Sequence, residues 1–174
     1  MTGFTFRGRH SETYGFVVTD IKRFIKASKN VSAITIPGRH GNYYVTDNTY
    51  GDVNIVVSCA YIGRSAEKAR EIGAWLSGEG ELILDTEPDK IYNARVFEAI
   101  DVKELTTLKE FDIVFTAYPF ALSAIRQQNF TITQNGQAIS LFSQGTAQAP
   151  TKIYLKNTGN APVTGIKITI KKRC

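Results

Sequence analysis

Residues 53–61, Val-Asn-Ile-Val-Val-Ser-Cys-Ala-Tyr, constrain this chain more than any other segment. Val53, Ile55, Val57, Cys59 and Tyr61 recur at the two-residue period of a strand, so they share one face. The other face (Asn54, Val56, Ser58, Ala60) is small and mixed. A long strand with one apolar face needs partner strands and a core on that side. The same period recurs at Phe4 and Phe6, at Ile34 and Ile36 before the turn pair Pro37-Gly38, and at Phe111, Ile113 and Phe115 before Tyr118-Pro-Phe. Residues 16–19, 81–85 and 91–102 read as further strands. Residues 86–90 read as a turn and 105–109 as a polar connection. The chain is therefore mainly β, with about seven strands in residues 1–120.

One helix interrupts them, over residues 66–77. Ala66, Ala69, Ile72 and Leu76 recur at spacings of three and four and form an apolar stripe, with Trp75 beside it. Ser65 suits the N-cap, Glu67 the positive end of the helix dipole and Gly78 the left-handed closing position. Gly73 inside the helix weakens it and suggests close packing on a strand. Trp75 reads as a core anchor rather than a ligand platform.

The composition shifts after residue 128 toward Thr, Gln, Asn, Ala and Gly. Ile153 and Leu155, then Ile166, Ile168 and Ile170, alternate with polar residues as short strands would. So few strands rarely bury a core of their own. Residues 1–128 are expected to form one domain, and residues 129–174 the opening of a second β domain that is cut short.

Hydrophobic residues make up 43% of the 174 and charged residues 21%, too apolar a balance for a disordered chain. No window approaches the ~18 apolar residues of a membrane-spanning helix, and the start has no signal-peptide pattern. Cys59 in an apolar run and Cys174 at the last position make no disulfide framework and read as reduced thiols. The net charge of +5 draws on Lys22, Arg23, Lys26 and Lys29 and on Lys171, Lys172 and Arg173. These basic residues do not alternate with aromatics, so they read as solvated faces rather than a base-stacking platform.

Catalytic and metal chemistry find no pattern. The histidines are His10 and His40, and no His-x-x-x-His or Cys-x-x-Cys spacing occurs. Phosphate-cradling Gly-x-x-x-x-Gly-Lys and nucleophile-elbow Gly-x-Ser-x-Gly loops are also missing. Asp85, Glu87 and Asp89 have oxygen ligands for a hard cation, and Asp85 with Asp89 could be an acid/base pair. Pro88 and Lys90 among them favour a solvated turn. The expectation is a protein that is not an enzyme, with no catalytic residue, cofactor or metal. Arg39, His40, Tyr43, Tyr44 and Tyr50 cluster in a Gly/Asn-rich stretch, and Tyr and Arg are the residues that anchor interfaces. They are the candidate oligomer interface. Loop tyrosines also simply cover the edge of a core, and a further reading is a carbohydrate-binding β-sandwich module for host-cell attachment.

Several segments together resemble the distal tail proteins of siphoviruses, the phage tail component family. They are Gly3-Phe-Thr-Phe-Arg-Gly, Tyr14-Gly-Phe-Val-Val, Ile36-Pro-Gly-Arg-His-Gly, Trp75-Leu-Ser-Gly, Leu82-Ile-Leu-Asp, Pro88-Asp-Lys, Tyr92-Asn-Ala and residues 111–119. Gly145-Thr, Pro150 and Gly159 are similar to the entry of that family's second, galectin-like domain. The resemblance implies a β-sandwich or split barrel with one helix and an extended hairpin, assembled with itself as a hexameric ring. That ring would join the tail tube protein to the tail-associated tip protein at the distal tip of the virion, after synthesis in the bacterial cytoplasm. DNA would pass through the channel without being read. Family members usually continue well beyond this length. An end at Lys171-Lys-Arg-Cys leaves too few strands for a complete sandwich.

Overall fold

The computed structural model describes residues 2–62, 65–100, 110–125, 127–141, 145–147, 150 and 152–171. The polar connection expected at 105–109 and Lys172, Arg173 and Cys174 lie outside them. Of the strand expected over 91–102, residues 101–102 also lie outside, and the strand already ends at Val96, short of the described residues 97–100. The chain divides into two units, Met1–Gln137 and Ala138–Cys174.

In the first unit the strands are β1 (Phe4–Phe6), β2 (Arg9–His10), β3 (Phe16–Lys22), β4 (Lys29–Ile34), β5 (Tyr43–Tyr50), β6 (Val53–Tyr61), β7 (Glu79–Leu84), β8 (Glu87–Val96), β9 (Phe111–Ala117) and β10 (Leu122–Ser123). Helix α1 spans Ala66–Leu76. The main sheet runs β2-β1-β7-β8-β9-β6-β3, with β10 on β8, while β4 and β5 form a separate two-stranded sheet. The alternation at 53–61 is realised. Ile55, Val57, Cys59 and Tyr61 are all buried, and Ile55 lies opposite Phe115, Val57 opposite Ile113 and Cys59 opposite Phe111. Neighbouring apolar faces meet across this antiparallel pair, which is how side-chain pairs stabilise a sheet.

Trp75 holds the core together. Phe4 and Phe6 come from one end of the strand order and Phe16 from the other, yet all three rings lie within 6.3 Å of Trp75, centroid to centroid. The sheet therefore curls on itself with α1 against its interior. Tyr14 stacks on Trp75 at 4.4 Å, and Trp75 Nε1 donates 2.8 Å to the Phe6 carbonyl in a buried bond.

Local chemistry explains the element ends. Arg7 and Gly8 both have positive φ (49° and 75°), as a two-residue hairpin between β1 and β2 requires. That turn aims the Arg7 guanidinium at the C-terminal end of α1, where Nη1 donates to the Ser77 carbonyl at 2.5 Å and the Trp75 carbonyl at 3.4 Å. A cation there meets the negative end of the helix dipole. Gly80 lets the Arg7 stem cross β7, because a Cβ at that position would overlap Arg7 Cγ. Gly78 takes the expected positive φ (94°), but the closing bond comes one residue earlier, from Ser77 N to the Gly73 carbonyl.

Three local expectations are corrected. Ser65 has the extended N-cap backbone, but its side chain makes no capping bond. The turn placed at 86–90 shrinks to Asp85-Thr86, because Glu87 already pairs with Leu84. Pro88 is tolerated where that ladder slips, since a bulge needs no donor from it. Gly73 is exposed, with no atom within 4 Å of a Cβ built on it, so close packing does not account for it. Gly73→Ala is expected to stabilise the protein by about 0.5–1 kcal/mol through helix propensity alone, read as a higher melting temperature.

The second unit carries no strand among its described residues. Ile153, Leu155, Ile166, Ile168 and Ile170 are exposed there. Alternation alone does not make a strand, which needs a partner backbone to pair with.

Candidate assembly surface

β4 and β5 form an arm that shares no ladder with the main sheet. It leaves from the end of β3 and returns to the start of β6. Ile34 pairs with Tyr43, Ala33 with Tyr44, Ser32 with Val45 and Val31 with Thr46. Side chains alternate across a strand, so Ile34, Tyr43 and Val45 lie on one face and Val31 and Tyr44 on the other. All five are exposed, Tyr44 to 65%. At the arm's root, Phe24 is 71% exposed and Ile25 fully so, among Lys22, Arg23, Lys26 and Lys29. An isolated two-stranded hairpin is marginal in water. Contiguous apolar exposure marks a contact surface. The arm therefore has the makings of an element completed by another chain.

The sequence candidates divide along this arm. Arg39 and His40 are exposed in its tip loop, just past the Pro37-Gly38 turn. That turn is closed by Arg39 N donating to the Ile36 carbonyl, with Gly38 at φ 80°, the left-handed residue a type II turn needs. Tyr43 and Tyr44 sit in the distal half, on opposite faces. Tyr50 lies apart at the root, half-buried, with its ring edge-on to Phe120 at 5.2 Å. In the sequence Ile34 reads only as part of a strand, and the exposed Val31 and Val45 and the root pair Phe24-Ile25 are not singled out. The fully exposed state of an apolar residue has no signature in a strand pattern.

The acidic stretch at 85–89 does not converge. Asp85 accepts from Gly3 N at 2.8 Å and faces His10 Nε2 at 3.2 Å. Glu87 pairs with Arg23, and Asp89 with Lys90. The three carboxylates thus serve separate sets of structural partners. Glu87 is held below the usual carboxylate range, first by the hydrogen bond from Arg23. His10 Nδ1 accepts from Glu12 N at 3.3 Å, and its Nε2 faces Asp85. Burial pushes the Cys59 thiol up to about 12, so it packs as a small hydrophobe and is a poor nucleophile.

A family model described as the phage tail protein RIFT-related domain matches residues 10–117. No curated protein sequence matches. Among solved structures, the fold is similar to phage SPP1 Dit (gp 19.1), described as a paradigm of the hub adsorption apparatus in phages that infect Gram-positive bacteria. The TM-score is 0.54 at 15% identity, over 68% of this chain and 49% of that one, so the chain spans about half the length of that protein. At this identity the likeness is one of fold.

Proposed function

Because the chain belongs to the phage tail protein RIFT-related family and is a structural component of a phage tail, we propose that it is a distal tail subunit that forms a closed ring through its arm. The ring is hexameric. It joins the tail tube protein on one side to the tip proteins on the other and lets DNA pass unread. The protein is not an enzyme; it works by assembly. Residues 129–174 are the opening of a second β domain.

One observation carries this reading. The arm is a two-stranded sheet outside the main ladder, with exposed apolar residues on both faces. Uncovered, such an arm is marginal in water, and a covering surface stabilises it. A surface of the next copy is a fitting cover, because a head-to-tail contact of unlike surfaces closes into a ring. Arg39, His40, Tyr43 and Tyr44 make the distal contact, and Tyr50 supports it from the root.

Light scattering behind a sizing column, followed by negative-stain imaging, tests the proposal. Six copies of this 19.3 kDa chain give a ring of about 116 kDa. A chain that stays monomeric and also binds neither tail tube nor tip proteins rules the proposal out.

A further inference from the structure

Arg23 stands where β3 ends and the outgoing leg of the arm begins. Its Nη1 donates to Glu87 Oε2, and to Tyr92 Oη at 3.1 Å. Tyr92 Oη in turn donates to the same Glu87 oxygen at 3.0 Å. Both partners are on β8, and in the strand order β9 and β6 separate β8 from β3. In an uninterrupted strand, residues five apart face opposite sides. Here the β7–β8 ladder slips between Leu82 and Leu84, beside Pro88. A bulge re-aims side chains in this way and brings Glu87 and Tyr92 to one guanidinium.

The returning leg is held separately, by the edge-on contact of Tyr50 with Phe120. Between the legs, Gly51 N donates 2.9 Å to the Ser28 carbonyl and closes the root. One anchor alone would leave a hinge. Anchors on both legs determine a direction.

We propose that Arg23, Glu87 and Tyr92 form a clasp that sets the direction in which the arm leaves the body, with Tyr50 on Phe120 as its second point of attachment. This rests on the arm being the contact surface. Ring closure demands it, because a small error in the angle between two contact surfaces turns a closed ring into an open filament. The Arg23 and Glu87 side chains are 37% and 29% exposed. A partly exposed pair contributes little to global stability, so its value lies in position.

Distances between spin labels test the clasp on the free chain. One label sits at the arm tip through His40→Cys and one on α1 through Glu67→Cys, with Cys174→Ser removing the terminal thiol. Adding Arg23→Gln or Tyr92→Phe should widen the distance distribution by about twofold or more, as a freed hinge does, while the melting temperature moves by no more than a few degrees. Salt near 1 M should widen the unsubstituted protein's distribution as well, by screening the pair. Distributions that stay narrow in both variants overturn the clasp, even if assembly is impaired. Because no assembly enters the measurement, it stands apart from the arm reading. That reading fails separately, if changing Tyr43 and Tyr44 together to serine leaves association intact.

Discussion

Trp75→Ala is expected to cost about 3–5 kcal/mol of unfolding free energy, the range for removing a large buried aromatic. Trp75 is 5% exposed and touches four aromatic rings, from β1, from β3 and from Tyr14 just before it. The sheet's two ends meet on this ring, so the cavity left behind cannot collapse without moving both. The Phe6 carbonyl also loses its Nε1 donor and remains buried, which adds a desolvation penalty. Domains of this size are held by about 5–15 kcal/mol in total. Denaturant titration should therefore show a midpoint shifted far down at a similar slope. Trp75→Phe keeps most of the ring and loses the hydrogen bond, and should fall between the two. A loss under about 1 kcal/mol for Trp75→Ala would show that the core closes without this anchor.

Changing Tyr43 and Tyr44 together to serine should weaken association by well over tenfold. Tyrosines at the centre of an interface are worth about 2 kcal/mol or more each, and 1.4 kcal/mol is a factor of ten. The free chain should melt as before, because both rings are exposed and support no core residue. Sedimentation at several concentrations reads the first effect and thermal unfolding the second. The single variants carry more detail. Tyr43 and Tyr44 point to opposite faces of the arm, so the one with the larger effect identifies the face a neighbour covers. Association unchanged in the double variant would move the contact surface away from the arm.

Where the sequence reading succeeded, one local rule sufficed. Period-two alternation at 53–61 and 111–115 identified the central pair of strands, and the stripe around Ile72 identified the helix. Trp75 was legible as a core residue because it adjoins that stripe. The Pro37-Gly38 turn was legible because a proline followed by glycine suits few other conformations.

The misses have physical causes too. Gly73 suggested close packing, but a glycine's neighbours come from other segments, and here there are none. The turn at 86–90 was overestimated because Pro88 signals a break, whereas a bulge in a paired strand accommodates it. The alternation at 153–170 promised strands, but pairing depends on a partner that the segment's own residues cannot supply. Glu87 looked like one of three similar turn carboxylates. Its link to Arg23 and Tyr92 exists only because the ladder slips beside it.

The sequence by itself determined the class of the fold, which residues share its central apolar faces, helix α1 and the family. Each depends on periods and spacings within a few residues. Tertiary structure alone decided that β4 and β5 stand outside the main sheet with both faces bare, that Tyr50 parts company with Tyr43 and Tyr44, and that a basic residue at the arm's root is tied to β8. These follow from which segments meet across long separations. Such meetings are set by the curl of the whole sheet around Trp75, and no local pattern encodes it.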